Sequence, residues 1–205
     1  MSPDTSFVPD LDAWDPWRPH DVAAALASLR VPWAVAGGWA IDLHLGEVTR
    51  THDDIEIVLS HDDMHVLRAC LRDLDWFVVG NGRAWPIADG PLELRQTWGR
   101  DRSGHWRLDV IREPRDVGEW VFGRDPRVRR RLADAIELGH GGIPYLAPEI
   151  VLLFKAKAPR DKDEADLART LPTLTPDRVG WLREALRLAH PGHDWIARLA
   201  VPGAP

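Results

Sequence analysis

The chain has 205 residues, 44% of them hydrophobic and 28% charged, a balance that excludes a disordered chain and a membrane protein. Near its start the longest uncharged stretch, Val31 to Ile41, is 11 residues, whereas a spanning helix needs roughly 20. Net charge is −6, from 26 basic and 32 acidic residues, which disfavours nucleic acid as a partner and suits a cationic small substrate. Cys70 is alone, so neither an internal disulfide nor a cysteine-built zinc site is available. Asp4, Asp10 and Asp12 stand where a signal peptide would carry lysines and an apolar stretch, so the expected location is cytoplasmic, with no membrane partner. The 11 tryptophans read as core packing.

The first 18 residues, rich in Pro, Asp and Trp, are expected to wander over the surface. Pro19 suits a first helical turn, and Ala23, Leu26 and Leu29 line one side of a helix over 21–29. Trp33 to Ala36 is a short apolar strand running into Gly37-Gly38. A helix from Trp39 to Leu45 follows, closed by Gly46. Ile55, Ile57 and Leu59 alternate with Asp54, Glu56 and Val58 as in a strand. Ser60 and Asp63 resemble a capping box opening a helix to about Asp73. Strands are expected near 76–79, 84–87, 92–97 and 106–111. Pro148 opens a helical run to Lys157, Asp161 with Glu164 looks like a second capping box, and 176–188 reads as a helix. The expected class is α+β: an irregular segment over 1–18, a mixed α/β domain over 19–140, and a small helical portion over 141–205.

The chemistry concentrates between Gly37 and Ile57. Asp54 and Glu56 are two apart on a predicted strand, so both carboxylates project from one face, about 6–7 Å apart at the backbone. Two such acids repel each other, and magnesium is the natural remedy, because it takes carboxylate oxygens and keeps positions open for phosphates. Upstream, a strand runs through Gly37-Gly38 into a helix. Glycines let a ligand approach the backbone, and a helix N-terminus presents free N–H groups to phosphate. A phosphate cradle followed by a paired-acid metal site describes an enzyme that uses a nucleotide and a metal.

The spelling Gly37-Gly38-Trp39-Ala40-Ile41-Asp42, then Leu45-Gly46, then Thr49-Arg50-Thr51-His52-Asp53-Asp54-Ile55-Glu56, resembles the aminoglycoside 2″-adenylyltransferase family and its lincosamide-modifying cousins. These belong to the polymerase-β-like nucleotidyltransferase superfamily. Trp106-Arg107-Leu108-Asp109-Val110 is similar to the family's later strand, which bears a third carboxylate. The stretch from Ile143 to Lys157 with Lys162-Asp163 is similar to the C-terminal segment of related sequences. Many members carry Asp where this chain has Glu56, one methylene longer.

The resemblance implies a polymerase-β-like fold, a mixed sheet flanked by helices. It implies ATP, or another nucleoside triphosphate, as co-substrate, with phosphates near Gly37 and Gly38 and Mg2+ on Asp54 and Glu56. Asp109 would complete the metal site or take the proton of the attacking hydroxyl. Arg50 and His52 flank the acid pair and would contact triphosphate or balance local charge. Asp42 reads as structural, and Asp53 faces away from Asp54. Lys155 or Lys162 could reach a phosphate, a solvated helix end being the plainer expectation. The expected acceptor is a cationic aminoglycoside, with Glu93, Asp116 and Glu119 as candidate acids for its ammonium groups, which would make the chain an antibiotic-resistance enzyme. The alternatives are a lincosamide, another metabolite or a macromolecule as acceptor, or a non-catalytic binding module that keeps the fold.

Overall fold

The computed structural model describes residues 4–199, so the extreme ends of the segments drawn over 1–18 and 141–205 lie outside the described residues. In chain order the first half holds α1 (Pro19–Ala25), β1 (Trp33–Val35), α2 (Gly37–Leu45), β2 (Glu56–Ser60), α3 (Met64–Cys70), β3 (Asp75–Gly80), β4 (Arg83–Pro86), β5 (Gln96–Arg100) and β6 (Trp106–Glu113). The second half holds β7 (Arg115–Asp116), β8 (Glu119–Val121), β9 (Arg129–Arg131), α4 (Leu132–Ala135), β10 (Ile136–Leu138), β11 (Pro144–Leu146), α5 (Pro148–Lys155), α6 (Asp161–Thr170), α7 (Pro176–Ala189) and α8 (Trp195–Arg198). Two compact units divide the chain: Met1–Val35 with Arg50–Pro114, and Ala36–Thr49 with Arg115–Pro205. No helix among the described residues is long and apolar enough to cross a membrane.

The first unit is built on a mixed sheet in the order β1-β2-β6-β5-β3-β4. Its one parallel pairing is β2 with β6; β1 with β2, β6 with β5, and β5, β3 and β4 in turn are antiparallel. The β3–β4 hairpin turns on Asn81-Gly82, with φ of 52° and 73°, the two positive angles that a two-residue turn matching strand twist requires. At the next hairpin Asp101 Oδ1 accepts from the Ser103 and His105 amides, so one side chain fixes the turn between β5 and β6. That turn sets the position of β5, which starts four residues later than the strand expected over 92–97.

Aromatic packing holds this sheet together. Phe77, Val79, Ala84 and Trp106 form a buried cluster, with Phe7, Ala13, Trp14 and Trp98 packed against it. The Arg100 guanidinium lies 4.5 Å from the Phe77 ring centroid, within range for a cation–π contact. The N-terminal segment does not wander. Phe7 and Ala84 exchange backbone hydrogen bonds of 2.9 and 2.8 Å, and the Trp106 amide donates to Ala13 O. The apolar side chains at Phe7 and Trp14 explain the anchoring, since each buries a large ring against the cluster. Helix α1 ends at Ala25, and its buried line is Val22, Leu26 and Leu29 rather than one starting at Ala23. Ser60 makes no side-chain cap; a single 3-10 turn over His61–Asp63 precedes α3.

The second unit packs α2 against α5, α6 and β11, and α5 against α7. Ile41, Leu152, Leu167, Leu182 and Leu186 are fully buried within it. The Arg160 amide donates to Asp163 Oδ2 at 3.0 Å, so Asp163, not Glu164, closes the start of α6. Glu164 instead accepts from the Trp195 indole at 2.7 Å. The small sheet β7-β8-β9 and the β10–β11 hairpin complete this unit. The change from strands to helices drawn near residue 140 falls inside it.

Candidate active site

Three carboxylates share one region of the first unit. Glu56 opens β2 and pairs directly with Asp109 on β6. Paired residues of adjacent strands project from the same face, so the topology brings together acids separated by half the sheet's sequence. Leu108 and Val110, fully buried, point to the opposite face. Asp54 lies two residues before β2, in the loop rather than in the strand, and is exposed; Glu56 is half-buried and Asp109 is 2% exposed. The acids therefore grade from open to buried.

Asp109 carries the strain of that arrangement. Burial raises its pKa well above the ordinary carboxylate value, the Glu56 charge raises it further, and Asp54 adds to the effect, while a hydrogen bond from Gln96 opposes it. The Gln96 amide Nε2 donates to Asp109 Oδ2. Trp98, the partner of Asp109 across the β5–β6 ladder, also lies close enough for its indole N–H to favour the charged carboxylate. Neither Gln96 nor Trp98 was legible as part of the site, because the strand was expected to run over 92–97. Gln96 would then have faced a different register.

Among the described residues, no three of His, Cys, Asp or Glu are gathered closely enough to form a ready metal-ligand set. The trio as it stands is a cluster of repelling charges rather than a ligand sphere. Its chemistry still fits a hard divalent cation. All the donors are carboxylate oxygens, and a cation would relieve the repulsion that raises Asp109.

The glycine pair belongs to the second unit. Gly37 and Gly38 form the first turn of α2 rather than a loop before it, and Gly37 has φ 60°, in the left-handed region that favours glycine. The first amides of any α-helix lack intrahelical acceptors, so this turn presents N–H groups. At the other end Gly46, with φ 78°, closes α2. Asp42 accepts from the Thr49 hydroxyl at 2.6 Å and from the Thr49 amide at 3.2 Å, which shapes the turn after the helix; this is the structural role expected of it. Arg50 and His52 lie in the first unit, on the loop before the acids, with Arg50 Nη1 donating to Thr51 O at 3.1 Å.

Other candidates are occupied elsewhere. Lys155 is not a solvated helix end: its Nζ lies 2.6 Å from Asp163 and 3.0 Å from Asp166, and its side chain is 9% exposed. Burial pushes Asp163 up, but hydrogen bonds from Arg160 and Lys155 outweigh it and hold the acid down at about 2. Lys162 lies half-buried on α6. Asp116 and Glu119 both pair with Arg129 Nη1, at 2.9 and 3.0 Å, so they are not free acids awaiting ammonium groups. Glu93 is exposed in the turn before β5.

This mixed-sheet α+β fold is shared by solved structures. The chain aligns with ANT(2″)-Ia bound to adenylyl-2″-tobramycin at TM-score 0.58 and 21% identity, over 82% of this chain and 94% of that one. It aligns with lincomycin-bound LnuA, a lincosamide antibiotic adenylyltransferase, at TM-score 0.54 and 18% identity, over 76% and 95% of the two chains. The fold is thus the expected one. Within that class, residues 20–83 match the family model described as aminoglycoside-2″-adenylyltransferase. A 2″-aminoglycoside nucleotidyltransferase of Escherichia coli is 33% identical over 87 residues, 41% of this chain and 49% of the relative, and one of Klebsiella pneumoniae matches equally. The chain spans about half the length of the curated relatives it matches. Over residues 20–83 the chain is therefore similar to the aminoglycoside-2″-adenylyltransferase family.

Proposed function

We propose that the chain is a magnesium-dependent nucleotidyltransferase that moves a nucleoside monophosphate, AMP from ATP, to a hydroxyl of an aminoglycoside, and so confers antibiotic resistance from the cytoplasm. The observation that carries this reading is the pairing of Glu56 with the buried Asp109, with Asp54 close enough to act on the same charge. The likeness in sequence to 2″-aminoglycoside nucleotidyltransferases supports the choice of acceptor.

In this reading Asp54 and Glu56 would hold Mg2+, with Asp109 as a third carboxylate toward it. When bound, the ion supplies charge neutralisation of the triphosphate and of the attacking and leaving oxygens. The acceptor hydroxyl oxygen attacks the α-phosphorus, and the bond from that phosphorus to the bridging oxygen of the β-phosphate breaks. Pyrophosphate leaves. The hydroxyl proton passes to the Asp109 carboxylate. Arg50 and His52 contact the triphosphate; for Gly37 and Gly38 the family likeness implies a phosphate contact through backbone amides. Such transfer needs positioning and charge more than covalent help.

A lincosamide acceptor is the second reading, favoured by the likeness to LnuA at nearly the same TM-score as the aminoglycoside enzyme. The test is incubation with ATP, magnesium and a panel of both antibiotic classes, followed by mass spectrometry of the antibiotics. Gain of an adenylyl group by an aminoglycoside is expected. Gain only by a lincosamide selects the second reading, and no gain on any antibiotic overturns both.

A further inference from the structure

Strand β5 contributes a residue to this site that neither the family likeness nor the acid pattern points to. Trp98 lies directly opposite Asp109 across the antiparallel β5–β6 ladder, and Gln96, two residues earlier, projects from the same face. Diagonal neighbours on one face of a sheet are within reach of long side chains. Gln96 uses that reach: its amide Nε2 donates to Asp109 Oδ2.

We propose that Gln96 is a positioning residue, which fixes the plane of the Asp109 carboxylate relative to the reacting hydroxyl and the metal. The inference rests on the reading of Asp109 as the proton acceptor. An amide suits this task for two reasons. It carries no charge, so it orients the carboxylate without supplying a counter-ion that would compete with a cation among the three acids. It does not titrate, so the hydrogen bond is held whatever the pH. A Gln merely filling space would be replaced without loss by a residue of equal size.

The test is a double-mutant cycle between Gln96→Met, which keeps length and removes the donor, and Asp109→Asn, with folding checked by thermal midpoint. Gln96→Ala stands in should the Met variant not fold. Gln96→Met should lower kcat about 10- to 100-fold with the KM values for ATP and antibiotic within about twofold, and the double variant should be no slower than Asp109→Asn alone. The same cycle is run without turnover, on Mn2+ affinity in the presence of ATP read by electron paramagnetic resonance. There Gln96→Met should weaken binding about threefold or more, again with no added loss in the double variant. Wild-type kcat and Mn2+ affinity in Gln96→Met overturn the proposal, as do losses that add fully to those of Asp109→Asn. Full activity in Asp109→Asn would instead overturn the reading of Asp109 itself, which is a separate and recognisable result.

Discussion

Glu56 and Asp109 are register partners across the parallel β2–β6 ladder, although 52 residues and three strands separate them in the chain. The pairing places a buried carboxylate beside a half-buried one on the same face of the sheet. Folding therefore works against two charges at this point, and the benefit has to appear in binding or chemistry.

The first consequence is a dependence of metal-free stability on pH. Burial and Glu56 raise the Asp109 pKa in the folded state above its ordinary value of 3.8. A raised carboxylate contributes stability that is fully present below the unfolded value and is lost as pH rises through the folded one. Asp109→Asn removes this loss. Its thermal midpoint without metal should exceed that of the wild type by a margin that grows from acid to neutral pH, and a constant margin would contradict the assignment.

Asp54 is exposed and adds its charge to the same cluster. Asp54→Asn should lower the rate of transfer by about a hundredfold or more while leaving the thermal midpoint unchanged or slightly higher, because one repelling charge is gone. The check is pyrophosphate release beside a thermal melt. Full activity would remove Asp54 from the site.

Gly38 lies in the first turn of α2, and in the proposed reading its backbone meets a phosphate that a side chain would obstruct. Gly38→Val should weaken ATP binding at least about tenfold, or about 1.4 kcal/mol. Calorimetric titration with Mg-ATP, on protein whose circular dichroism is unchanged, decides this. Unaltered affinity would place the phosphates elsewhere.

Lys155 supports structure in the second unit, between Asp163 and Asp166. Lys155→Ala leaves two buried acids without their shared cation and should cost about 3–5 kcal/mol in stability. The pH dependence follows the other sign from Asp109. Asp163 is held at about 2 in the fold, so its contribution is present above its ordinary value of 3.8 and is lost as pH falls toward about 2. Denaturant unfolding of both proteins at neutral and acid pH should show the difference shrinking in acid.

The alternation of Ile55, Ile57 and Leu59, the apolar stretch before Gly37 and the acids at 54 and 56 made the strands around the site and its first two carboxylates legible. Asp109 was legible only through its likeness to a known motif, because strand pairing, not spacing, brings it to Glu56. Gln96 and Trp98 were not. Their face depends on the register of β5, and that register is set by the Asp101 turn rather than by any periodicity in 92–97. Lys155 was misread for a related reason, since its partners lie on the following helix. The strands β7 to β9 went unseen because Arg129, Arg130 and Arg131, like Arg115 and Asp116, show no apolar alternation.

The most direct measurement is pyrophosphate release from ATP in the presence of an aminoglycoside, compared between wild type and Asp109→Asn at equal protein concentration. Wild type should release pyrophosphate only with both magnesium and the antibiotic, and Asp109→Asn should be slower by roughly 10²–10⁴-fold with ATP binding retained. Equal rates in the two proteins would contradict the role of the buried carboxylate, and with it the site as described.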